Sequence, residues 1–161
     1  MKREDGFSLI ELFTVIALMG IIAAFAIPTF ITARADLLYR QEARSIGSKL
    51  REARARTVSL NREHQVQLDL TAGANQYQMQ QGNASSGSGV WTAVAGQTGT
   101  VATGLVLTQA GCLGAAPLFT VGFNTNGSAD AGCVISVRDA ATNTVRHTVT
   151  VVLNTGRVRI Q

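Results

Sequence analysis

An α+β fold, with a long N-terminal helix packed on an antiparallel sheet, is predicted by three features of this 161-residue chain. Residues 12–33 carry no charged side chain. Residues 39–57 repeat apolar positions at helical spacing, and beyond Glu63 the repeat changes to strict alternation. The length leaves room for one globular domain beside the apolar stretch, and the 46% hydrophobic content supports a modest core.

The first element is the apolar stretch. As a helix, residues 12–33 would span about 33 Å, the hydrocarbon thickness of a bilayer. Lys2 and Arg3 precede it, which keeps the start of the chain in the cytoplasm and exports the rest. Two readings of this terminus compete. In an ordinary secretory signal the apolar core would run over residues 12–22, with cleavage at Ala24-Phe25-Ala26 releasing a soluble module that begins at Ile27. Glu11 argues for a retained segment instead: an acid at the mouth of an insertion core is unhelpful, costing up to ~2.5–3.5 kcal/mol near the bilayer centre and less at an interface. Such an acid either rests among the headgroups or has a function. Gly20 and Pro28 lower helix propensity, Pro28 by removing one hydrogen bond, although both are also ordinary in membrane helices.

The second element is basic. Residues 34–62 hold eight Lys or Arg against three Asp or Glu, which is most of the excess behind the net charge of +4. Tyr39, Ala43, Ile46, Leu50, Ala53 and Thr57 step by four and three, leaving a narrow apolar stripe opposite Arg40, Arg44, Arg51 and Arg54. That pattern predicts an amphipathic helix continuing to about Arg62, its basic face open to anionic lipid headgroups, acidic neighbours or plain solvent.

Residues 63–161 balance four Arg against four acids and read as strands. Residues 66–70 and 77–79 alternate about a turn and predict a hairpin; residues 82–89 are a polar loop, and residues 90–94 a short strand with Trp91 in a packing role. Further strands are predicted at 101–108, 118–124, 133–138, 146–153 and 157–160, with turns at Asn126-Gly127 and Asn154-Thr155-Gly156. Cys112 and Cys133 make a count compatible with one disulfide in an exported domain, or with two free thiols. Arg157 and Arg159 alternate with Val158 and Ile160, so on a strand the two guanidinium groups would share a face about 7 Å apart. The pair is either a phosphate clamp, with Arg138 or Arg146 adding charge, or a solvated strand face. His64 and His147 read as surface or boundary residues, and no metal-ligand spacing or nucleophile motif is present, so no catalysis, metal or cofactor is expected.

Two stretches carry a family resemblance. Gly6-Phe7-Ser8-Leu9-Ile10-Glu11-Leu12 resembles the class III signal of type IV prepilins. The resemblance implies a leader over residues 1–6, cleavage by prepilin peptidase between Gly6 and Phe7, and N-methylation of Phe7. It also implies that residues 7–33 are kept as the transmembrane and polymerisation half of the helix, that 34–62 form its amphipathic half and that 63–161 form the globular domain. Glu11 becomes an assembly residue, matched to the buried amine of a neighbour's Phe7, and Gly20 and Pro28 become sites where the helix loosens.

The second stretch narrows the family. Residues 119–137, FTVGFNTNGSADAGCVISV, and 149–161, VTVVLNTGRVRIQ, are similar to the C-terminal half of minor pilins and pseudopilins of the GspH, FimT and FimU type. The implied fold is the type IV pilin fold. The implied role is a minor pilin, incorporated in or priming a pilus, with other major and minor pilin subunits, prepilin peptidase and the inner-membrane assembly platform as partners. The location implied is the bacterial inner membrane, with the C-terminal domain periplasmic, and then the filament. Gly156-Arg157-Val158-Arg159 is similar to the GRxR motif of FimT-type DNA receptors, which implies sequence-independent DNA binding through Arg157 and Arg159. A type II secretion minor pseudopilin is the alternative reading, and a soluble secreted module the remote one.

Overall fold

Ser8 begins the first helix by offering its carbonyl to the amides of Glu11 and Leu12, at 3.0 and 3.2 Å. The computed structural model describes residues 8–161, in two units divided between Leu37 and Leu38. Helix α1 (Leu9–Leu60) is assigned unbroken through Gly20 and Pro28. In the first unit, Leu9–Ile27 is long and apolar enough to cross a membrane, and its large side chains are exposed. A Cβ at Gly20 would meet nothing within 4 Å, so no packing within this chain requires glycine there.

The second unit combines the rest of α1 with nine strands: β1 (His64–Asp69), β2 (Gln76–Gly82), β3 (Trp91–Thr100), β4 (Leu105–Ala110), β5 (Leu113–Ala115), β6 (Leu118–Phe123), β7 (Cys133–Asp139), β8 (Val145–Val151) and β9 (Val158–Ile160). They form two antiparallel sheets, a five-stranded one in the order β3-β2-β1-β6-β5 and a four-stranded one in the order β4-β7-β8-β9. One sheet was expected; the strands divide because β1 pairs with β6 and β4 with β7, partners distant in sequence.

The stripe predicted on α1 is the core of this unit: Tyr39, Ala43, Ile46, Leu50, Ala53 and Thr57 are all buried. Thr57 hides its hydroxyl by donating to the Ala53 carbonyl at 2.8 Å. Alternation supplies the opposing surfaces, with Val66, Leu68, Met79, Phe119 and Phe123 from the first sheet and Ile135, Val137, Val149 and Val151 from the second. The arginines flank this stripe rather than oppose it. On one flank of the helix Ser45 bonds the Tyr77 hydroxyl at 2.6 Å and Lys49 donates to Gln97 of β3. On the other flank Gly47 packs so closely on Ile160 of β9 that an added Cβ would lie 2.7 Å from its Cδ1.

Several boundaries differ from expectation. β3 has ten residues where a short strand was predicted. β4 starts at Leu105 rather than Val101, because Val101 is buried with its amide committed to the Asn75 carbonyl at 2.9 Å. β5 is too short to leave a periodic signal. His64 is fully buried, not a boundary residue, since it shares the inward parity of Val66 and Leu68 and pairs with Phe123 across the sheet.

Two buried titratable groups lack a full set of partners. Burial depresses the His64 pKa, the Arg62 carbonyl 2.9 Å from Nδ1 opposes that, and Arg56 reinforces it; Nε2 has no partner among the described residues. Burial raises the Glu42 pKa, opposed by the Ala102 amide at 3.4 Å, and its Oε1 is likewise without a partner. A raised carboxyl pKa means the native state holds its proton to higher pH than the unfolded chain, so Glu42 favours folding in acid and penalises it as pH rises above about 4.5. Glu42→Gln should therefore raise the unfolding free energy read from urea denaturation at pH near 7, by on the order of 1 kcal/mol, and change it little at pH near 4. Equal shifts at both pH values would reject the assignment.

Candidate functional site

The candidate residues fall in two places, each described within its own unit. Gly6 and Phe7, the expected cleavage and methylation positions, lie outside the described residues. Glu11 stands three residues after Ser8 in the first turn of α1, the spacing at which a carboxylate complements the free amides and positive end of a helix. Its backbone carbonyl accepts the Thr14 hydroxyl at 2.9 Å. Around it Leu9, Ile10, Leu12 and Phe13 are exposed, so this acid opens a stretch of unpartnered apolar surface.

The second place is the end of β9. Arg157 precedes the strand, donating its amide to Thr155 Oγ1 at 3.3 Å and accepting from the Val152 amide at 3.0 Å. Arg159 lies within β9 opposite Thr150. Both arginines are exposed, while Val158 between them is buried and Ile160 half-buried. The turn before them is fixed from α1. Arg54 donates Nε to the Gly127 carbonyl at 2.8 Å and lies against Gly156, holding the turns at Asn126-Gly127 and Asn154-Thr155-Gly156 together.

The helpers suggested for the arginine pair separate. Arg146 turns toward α1, 5.6 Å from the Tyr39 ring centroid, and pairs with Asp139 at 3.5 Å, so it adds nothing to the face that carries Arg159. Arg138 occupies the outward parity of β7 but is tied to Thr108 Oγ1 and the Asn143 carbonyl, each at 3.1 Å. Cys112 and Cys133 form a disulfide with Cα atoms 4.5 Å apart. Among the described residues no group of three His, Cys, Asp or Glu side chains is placed to hold a metal ion.

Sequence reasoning missed a neighbouring groove. Arg40 and Arg44 of α1, His147 of β8, and Ile160 and Gln161 line a cavity of about 390 Å³. The one-turn spacing of the two arginines was visible in the sequence. That His147 and Gln161 join them depends on the pairing of β8 with β9.

No family model and no curated protein sequence matches the chain. Solved structures do. The minor pseudopilin EpsH of the Vibrio cholerae type 2 secretion system is similar with a TM-score of 0.60 at 15% identity, over 76% of this chain and 94% of that one. The type IV minor pilin FimU of Pseudomonas aeruginosa gives 0.56 at 16% identity, over 81% and 92%. GspH of E. coli gives 0.59 at 10%, over 79% and 89%. The chain thus has the α+β fold of type IV minor pilins and pseudopilins.

Proposed function

We propose that this chain is a minor subunit of a type IV filament, held in the inner membrane by residues 7–33 and assembled through that same segment. The observation that carries the reading is the exposed apolar helix Leu9–Ile27 with one acid in its first turn. Burying a Leu, Ile or Phe side chain is worth ~1.5–3 kcal/mol, so such a surface requires lipid before assembly and neighbouring helices after it. In this reading prepilin peptidase removes residues 1–6, Phe7 is N-methylated, the globular domain faces the periplasm, and Gly20 and Pro28 let the helix yield during packing.

Packing these helices buries the new amine at Phe7, and Glu11 of a neighbour supplies the opposite charge. Leaving either group unpaired costs about 3–5 kcal/mol. Glu11→Ala is therefore expected to be cleaved and membrane-bound but missing from sheared filaments. Normal incorporation of that variant would refute the proposal. A chain isolated with Ile27 as its N-terminus would refute it equally, in favour of a secreted module.

The exposed pair Arg157 and Arg159 favours a pilus subunit that also holds DNA. Two phosphate contacts give a salt slope of only about −1.8 on duplex DNA, so the contact is weak and independent of sequence. A type II secretion pseudopilin would share each assembly step and differ in its partners, which would be other pseudopilins and no DNA.

A further inference from the structure

We propose that the groove formed by Arg40, Arg44, His147, Ile160 and Gln161 seats backbone phosphates of the DNA assigned to Arg157 and Arg159. The groove and the arginine pair then form one track around the β9 edge, an inference that rests on the DNA reading above. Arg40 and Arg44 stand one helical turn apart, exposed, and neither has an ion pair or hydrogen bond among the described residues. Two unpaired guanidinium groups on one helix flank can each meet a phosphate.

His147 borders the groove, with its Nδ1 3.2 Å from the Gln161 backbone oxygen. Asp139 is engaged by Arg146 at 3.5 Å and by the Ala141 amide at 2.8 Å, and Asp36, one turn before Arg40, forms no ion pair with it among the described residues. β9 ends its sheet, so no further strand covers this side.

Parity splits the charges between the two sides of that edge. Ile160 points toward Gly47 of α1, and Arg159 points away. From Arg157 to Gln161 the chain advances about 13 Å, at ~3.3 Å per residue. One DNA strand covers that distance with about four nucleotides, at ~3.4 Å of axis each. A duplex laid along that edge therefore offers phosphates to both sides of it over the same length.

The test is the salt dependence of duplex binding by the full chain in detergent micelles, read by anisotropy of a labelled duplex of about 20 base pairs. With four phosphate contacts the slope is about −3.6, and affinity falls about 150-fold between roughly 50 and 200 mM salt. R40Q/R44Q should reduce the slope to about −1.8 and the loss to about 12-fold. R40K/R44K should restore the slope, which separates lost charge from lost folding. If R157Q/R159Q lowers the slope and R40Q/R44Q does not, the groove proposal fails and the arginine-pair reading stands. If the parent chain binds no duplex, both fail; if Arg40 and Arg44 act only on anionic lipid vesicles, the groove proposal alone fails.

Discussion

Gly156→Ala is expected to lower the stability of the globular unit by on the order of 3 kcal/mol, a fall of roughly 10–20 °C in Tm. Two effects act at this position. The backbone sits at φ +58°, a left-handed conformation that alanine adopts at a cost, and the added Cβ would strike the Gly127 carbonyl oxygen and approach Arg54 Nε to 3.0 Å. Backbone cannot swing aside as a side chain can. Gly73 supplies the comparison: its φ is +93°, yet a Cβ there would meet nothing within 4 Å, so Gly73→Ala should cost only about 1 kcal/mol. Calorimetry of both variants separates conformation from collision. Equal losses would mean the contact among Gly156, Gly127 and Arg54 contributes nothing. The expected inequality also bears on function, because the same turn delivers Arg157 and Arg159 to the surface.

Removing the disulfide, as Cys112→Ser with Cys133→Ser, is expected to cost about 3 kcal/mol on the chain-entropy account. The bond joins residues 21 apart and stands where the chain leaves β4 of one sheet to enter β5 of the other. β4 pairs with β7 as far as Ala110 opposite Val134, so the bridge secures the chain just past the last of those pairs. Urea denaturation with and without reductant measures the effect, and the double variant under oxidising conditions should match the reduced parent. An unchanged midpoint would show that the loop is already restrained in the unfolded chain.

Much of this architecture was legible because local periodicity reports local structure. The four-and-three spacing from Tyr39 to Thr57 named six residues that α1 buries in the domain, missing only Glu42 and Gly47 among the described ones. Alternation placed β1, β2, β6 and β7 to within a few residues. Errors arose where the signal was non-local. β4 was displaced because Val101 is apolar for a reason unrelated to strand pairing, its burial beside the turn at Asn75. Single histidines carry no periodicity, so nothing distinguished buried His64 from half-exposed His147 until the registers of β1 and β8 were known. At the candidate site, the alternation of Arg157 to Ile160 forecast which side chains would be exposed, but not that Arg146 would turn away to Tyr39 and Asp139.

The amino-acid order alone determined the uncharged stretch over residues 12–33, the single acid that opens it, the helical stripe and the strand-forming segments, because each depends on side chains a few positions apart. Only the tertiary structure decided which strands share a sheet, that Arg54 ties two glycine turns together, and that Arg40, Arg44 and His147 border one groove. Those outcomes join residues up to about a hundred positions apart. They are selected by burial and backbone pairing over the whole domain, which no local window of sequence encodes.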